Sequence, residues 1–120
     1  MDFSLPKKDI LRSKRDIDAL FAAGTSVTRF PLKAYYRLRT GSGSVRMMVS
    51  VPKRNFKRAV KRNLLKRRLR ESYRTRKGYL EGRSVDVMFF YNSKEVLDSA
   101  VIRTEVEEVL RTLTEKMSGQ

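Results

Sequence analysis

The chain has 120 residues, 40% of them hydrophobic, and sets 28 Lys and Arg against 13 Asp and Glu, a formal charge of +15 at pH 7. That length suits one modest core, and that charge favours a polyanion as partner, a phosphate backbone ahead of an anionic membrane surface. Neither Cys nor His occurs, which excludes disulfides, thiolate metal sites, a Cys nucleophile and the commonest general base.

Residues 1–8, with Leu5-Pro6-Lys7-Lys8, read as a basic extended lead-in without the apolar core of a signal peptide. No apolar run reaches about 18 residues, so no membrane span is expected and the chain is read as cytoplasmic. Ser13 followed by Asp16 resembles an N-cap with an acidic first turn; Ile17, Leu20 and Phe21 follow at helical spacing, and Gly24 can end the helix. From Thr25 to Arg39 the period becomes two: Phe30, Leu32, Ala34, Tyr36 and Leu38 alternate with Lys33, Tyr35, Arg37 and Arg39. This predicts one strand with a wetter, basic face. Gly41-Ser42-Gly43-Ser44 reads as a turn, and Val45–Val51 as a second strand in a hairpin with the first, ended by Pro52.

A basic segment, Lys53 to Lys77, comes next; Gly78 and Gly82 then lead to Val85–Tyr91, whose apolar density predicts a central strand. Ser93 is the expected cap of a last helix, in which Ile102, Val106, Val109, Leu110, Leu113 and Met117 recur at three-to-four spacing. Glu105, Glu107 and Glu108 read as its solvated face, and residues 116–120 as a fraying tail. The expected fold is α+β, an α/β sandwich in one domain over residues 1–120, with a small, mainly antiparallel sheet covered by helices.

The basic segment holds Lys53, Arg54, Lys57, Arg58, Lys61, Arg62, Lys66, Arg67, Arg68, Arg70, Arg74, Arg76 and Lys77, opposed only by Glu71. At 100° per residue Arg62, Asn63, Lys66, Arg67, Arg70 and Arg74 fall on one side, and Val60, Leu64, Leu65 and Leu69 largely on the other. Like charges four apart destabilise an isolated helix by roughly 0.2–0.5 kcal/mol per pair, and a bound polyanion reverses that sign. A solvated charge run is the plainer alternative, but one acid cannot balance so many cations. Asn63 adds no charge; its amide is either a directional contact or an inert surface group.

The run Ser50-Val51-Pro52-Lys53-Arg54, then Lys57 through Glu71 with Arg62-Asn63-Leu64 at its centre, resembles the signature of the bacterial ribonuclease P protein component. Phe21-Ala22-Ala23-Gly24-Thr25-Ser26 and the final strand and helix also match that family's layout. One departure is Leu64, where the family usually has a second Arg; the projection sends Leu64 towards the core, with Arg67 and Arg68 compensating.

The resemblance implies a ribosomal-protein-like fold with a left-handed βαβ crossover. It implies an RNA-binding surface of Lys53, Arg54, Lys57, Arg58, Lys61, Arg62, Asn63, Lys66, Arg67, Arg70 and Arg74 for the ribonuclease P RNA. It also implies a cleft for the 5′ leader of precursor tRNA, with Ile17, Phe21, Ala34 and Tyr36 at the matching positions. Alternation alone would instead bury Tyr36 with Phe30, Leu32 and Leu38, so for Phe21 and Tyr36 cleft and core both stand open. The implied activity is endonucleolytic removal of the leader, with the catalytic RNA subunit and Mg²⁺ supplying the chemistry and no catalytic or metal-binding side chain on the protein. One protein per RNA is expected, with no DNA partner. Two other readings fit the composition: a ribosomal or general RNA-binding protein, and an RNA-free nuclease using Asp16, Asp18 or Asp86 as metal ligands.

Overall fold

The computed structural model describes residues 10, 11, 13–23, 25–39, 44–80 and 82–118. The 1–8 lead-in, Gly24, the Gly41–Gly43 part of the turn and residues 119–120 of the tail lie outside the described residues. Helix α1, Lys14–Ala23, begins where expected: the Asp16 backbone N–H donates to Ser13 Oγ at 3.4 Å, and Ile17 N–H to the Ser13 carbonyl at 2.9 Å.

The single strand predicted over residues 25–39 is two. β1, Ser26–Arg29, and β2, Leu32–Leu38, form an antiparallel hairpin across Phe30-Pro31, whose peptide bond is cis. Pro31 has no N–H to give a ladder, which breaks the run at that point.

The expected hairpin between this region and β3, Val45–Ser50, does not form. β4, Val85–Tyr91, lies between them, in the order β1-β2-β4-β3; it pairs antiparallel with β2 and parallel with β3. The physical reason is its composition. Six of its seven residues are buried, on both faces of the sheet, so it needs a neighbour on each edge. A parallel β3–β4 pair requires a long crossover, and α2, Ala59–Arg74, with a 3-10 turn at Lys77–Leu80, supplies it. Gly82, at φ +82°, turns the chain back towards β4 in a conformation that side chains rarely adopt.

One sheet face carries Ala34, Tyr36, Met47, Val49, Val85, Val87, Phe89 and Tyr91 against Leu65, Leu69 and Tyr73 of α2 and against α3, Ser99–Ser118. Every apolar position predicted for α3 is buried, Met117 included, and the helix runs through Ser118, with Lys116 and Ser118 exposed. The cap of α3 is Asp98, whose Oδ1 accepts from Val101 N–H at 3.0 Å; Ser93 instead closes a turn by accepting from Glu95 N–H at 3.0 Å. The glutamates of α3 are less solvated than expected: Glu105 pairs with Arg29 at 2.7 Å, Glu107 accepts from Tyr79 at 3.1 Å and Glu108 pairs with Arg111 at 2.9 Å.

Candidate nucleic-acid interface

α2 starts late. Lys53, Arg54 and Lys57 lie in the loop before it and Arg58 is its N-cap, with no side-chain capping hydrogen bond. The first turn contains no acid, so Lys57, Arg58, Lys61 and Arg62 crowd the positive end of the helix dipole. An anion placed there would satisfy both the free N–H groups and the cations. Arg62 is only partly available: its Nη1 donates to the Phe56 and Lys57 carbonyls at 2.6 and 2.9 Å, clamping the loop onto the helix. Arg68, one of the two residues expected to compensate for Leu64, likewise donates to the Leu97 carbonyl at 2.6 Å, which ties α2 to the segment before α3.

Along the helix Lys61, Asn63, Arg67 and Arg70 are exposed, with Lys66 and Arg74 partly so, while Leu65, Leu69, Ser72 and Tyr73 are buried. The projected basic face is therefore present. Two residues depart from it. Val60, in the first turn of α2, is 79% exposed, and Leu64 is half-buried outside the core.

The opposite sheet face, under α1, carries three cross-strand rows. Lys33, Phe90 and Ser50 form the first, Tyr35, Met88 and Met48 the second, and Arg37, Asp86 and Arg46 the third. α1 covers the middle through Leu20, which packs with Leu11 and Met88, and Ile17 joins that cluster. Phe21, 46% exposed, meets the Tyr35 ring edge-on at 5.0 Å, and Lys33 Nζ lies 5.2 Å from the centre of the same ring. Partly buried Phe90 and Ser50 continue this face across β4 and β3, leaving a shallow groove beside α1 as the candidate surface.

The third row pins α1. Fully buried Asp86 accepts from Arg37 at 2.9 Å and from Arg46 at 2.9 and 3.0 Å, and lies 2.9 Å from Arg39. Arg46 also reaches Asp16 on α1 at 2.9 Å. The hydrogen bond to Asp86 raises the Arg46 pKa above the ordinary arginine value, against the effect of its partial burial. Asp16 and Asp86, two acids of the nuclease reading, are thus held by guanidinium groups.

The cleft assignment needs correction at two positions. Ala34 and Tyr36, 0% and 2% exposed, face α2 and α3 in the main core and cannot line a groove. Strand residues alternate between faces, so an error of one residue exchanges groove for core. The α1 side of the same strand carries Lys33 and Tyr35, with Phe90 across from Lys33, none of which the cleft assignment included; the wetter face of the period-two pattern marked the first two. Phe21 lies against Tyr35 on the α1 side, and Ile17, like Tyr35 and Phe90, is partly buried against the Leu11, Leu20 and Met88 cluster there.

A family model described as Ribonuclease P matches residues 5–114. The ribonuclease P protein component of Porphyromonas gingivalis is 40% identical over 80 residues, covering 65% of this chain and 58% of that protein. The chain is thus aligned with less than two thirds of that relative's length. The component of Chlorobium phaeobacteroides is 31% identical over 128 residues, covering 92% of this chain and 88% of that one. Among solved structures, the Staphylococcus aureus RNase P protein superposes with a TM-score of 0.78 at 22% identity, over 89% of this chain and 96% of that chain, a likeness of fold. The Thermotoga maritima RNase P protein gives 0.74 at 25% identity, over 86% and 96%. With the basic helix, the aromatic groove and these matches together, the chain belongs to the ribonuclease P protein family.

Proposed function

We propose that this chain works as the protein partner of a ribonuclease P RNA in the cytoplasm, one protein per RNA, and promotes endonucleolytic removal of the 5′ leader from precursor tRNA. The loop 53–58 and the exposed face of α2 meet the RNA subunit, and the groove between α1 and the sheet holds the single-stranded leader. The observation that carries this reading is the partly exposed Tyr35 ring, flanked by Phe21 and Lys33, on a face separate from the basic helix. Aromatic faces stack on unpaired bases for about 1–3 kcal/mol each whatever the base, and a neighbouring cation meets the phosphate, which suits leaders of varied sequence.

In the reaction a water oxygen bonds to phosphorus and the bond to the leader's 3′ oxygen breaks, leaving a 5′ phosphate on the tRNA. Mg²⁺, held mainly by the RNA subunit and the substrate, would supply activation of that water and charge stabilisation for the leaving oxygen, which departs as a hydroxyl once it takes up a proton. The protein's residues bind, orient and neutralise charge.

Reconstitution tests the reading: the purified protein, a bacterial ribonuclease P RNA and a precursor tRNA at low millimolar Mg²⁺. Cleavage should be stimulated in a leader-dependent way, and the protein without RNA should not cleave. Binding without stimulation would return the chain to general RNA binding, and robust RNA-free cleavage would overturn the division of labour.

A further inference from the structure

We infer that Phe30, with the loops on either side of it, forms a second stacking site for an unpaired nucleotide, extending the groove beyond the end of the sheet. The inference rests on the reading that the α1 face holds the leader. Phe30 stands at the β1–β2 turn and is 69% exposed. A single exposed apolar residue is ordinary on a protein surface; the setting of this one is not. It lines an open pocket of about 490 Å³ with Asn92, Ser93, Lys94 and Glu95 and with Arg54 and Asn55, so the start of the loop 53–58 borders both RNA surfaces. Two cations against one carboxylate suit a phosphate, an aromatic face suits a base, and two amides offer donors and acceptors to a base edge.

The pocket is preorganised. The turn carrying Phe30 is held to β4 by Asn92 N–H donating to the Pro31 carbonyl at 2.6 Å. The loop with Asn92 and Lys94 folds over buried Tyr91, whose hydroxyl donates to the Glu95 carbonyl at 2.6 Å and accepts from Leu97 N–H at 3.1 Å. The loop with Arg54 and Asn55 is fixed by Asn55 N–H on the Pro52 carbonyl at 3.2 Å and by the Arg62 clamp. Position adds the link to the groove. Leu32 pairs with Tyr91, and Lys33, Phe90 and Ser50 form the groove's last row, so the strand ends that bear these loops are the ones where the groove runs out. A single strand lying on Tyr35 and passing Lys33 meets Phe30 next. The occupant that fits is single-stranded RNA.

The test is the affinity of the reconstituted holoenzyme for precursor tRNAs with graded leader lengths, using wild type, Phe30→Ala, Phe30→Trp and Tyr35→Ala. Phe30→Ala should match wild type on the shortest leaders and bind long leaders about 5- to 100-fold more weakly. Phe30→Trp should retain long-leader affinity, and Tyr35→Ala should lose affinity for short and long leaders alike. Because Phe30 is exposed, its replacement by Ala should leave the melting temperature unchanged. If Phe30→Ala follows wild type at every length, or loses equally at every length and on mature tRNA, the second site is refuted while the groove stands. If wild-type affinity does not grow with leader length at all, the groove reading itself fails.

Discussion

Replacing Tyr35 and Tyr36 one at a time should give opposite outcomes, although the two are neighbours in the chain. Tyr36 is almost fully buried between the sheet and the helices. Truncating such a residue to Ala costs about 3–5 kcal/mol, a large part of the stability of a small domain. At about 4 °C per kcal/mol the melting temperature should fall by more than about 10 °C. The surviving folded protein should bind precursor and mature tRNA in the wild-type ratio. Tyr35→Ala removes an edge contact with Phe21 at 5.0 Å, worth about 0.5–1.5 kcal/mol, and part of the packing on Leu11, Leu20 and Met88, and should lower the melting temperature by less than Tyr36→Ala does. It also removes a stacking face worth about 1–3 kcal/mol to a base, so the holoenzyme should bind precursor about 5- to 150-fold more weakly and mature tRNA unchanged. Thermal melts and equilibrium binding of both tRNAs read the pair. The reasoning is refuted if Tyr36→Ala stays stable and loses leader affinity selectively, or if Tyr35→Ala weakens precursor and mature binding equally.

Three further outcomes follow from named interactions. Lys66→Ala and Arg70→Ala should each flatten the log–log salt dependence of RNA-subunit binding, by about 0.9 for every duplex phosphate left unneutralised or about 0.7 on single strands. Arg68→Ala, whose guanidinium serves the Leu97 carbonyl, should leave that slope alone and cost about 1 kcal/mol in a denaturant titration; a reversal would move the RNA face around the helix. Asp86→Asn leaves Arg37, Arg39 and Arg46 around a buried neutral amide and should cost about 3–5 kcal/mol, so an unchanged unfolding midpoint would contradict the pinning of α1. Burial raises the Tyr91 pKa above its ordinary value of 10.0, despite the opposing hydrogen bond from the Leu97 backbone. The unfolded chain therefore loses this proton first, and the stability contributed by the protonated phenol is present below pH 10 and is lost as pH rises through the folded-state pKa. The unfolding midpoint should drop over that range in wild type, and less so in Tyr91→Phe.

The parts of this molecule set by local pattern were legible in its sequence. The Ser13 cap, the buried stripe of α3 and the central place of Val85–Tyr91 follow from spacing and apolar density, and each is observed. The β2–β3 hairpin was misread because proximity in sequence favours it. The rival arrangement depends on a strand far along the chain, beyond α2, whose two apolar faces both need cover. Val60 shows the limit of a helical wheel: its angle points inward, but in the first turn of α2 no neighbour covers it. On β2 the alternation was legible, but which phase faces α1 was not used in placing the cleft. Ala34 and Tyr36 carry the apolar phase that a core demands and are buried in it, whereas Lys33 and Tyr35 carry the wetter phase on the α1 side. The ion-pair row Arg37–Asp86–Arg46 could not be seen at all, since its members come from three strands whose pairing the sequence does not state.

Site-specific photocrosslinking tests the central claim of two RNA surfaces most directly. A photoreactive phenylalanine analogue would replace Tyr35 in one protein and Arg70 in another, each reconstituted with a ribonuclease P RNA and a labelled precursor tRNA. Position 35 should crosslink to the 5′ leader and lose its signal with mature tRNA, while position 70 should crosslink to the RNA subunit whether or not substrate is present. Crosslinks from position 35 to the RNA subunit alone, or leader crosslinks from position 70, would contradict it.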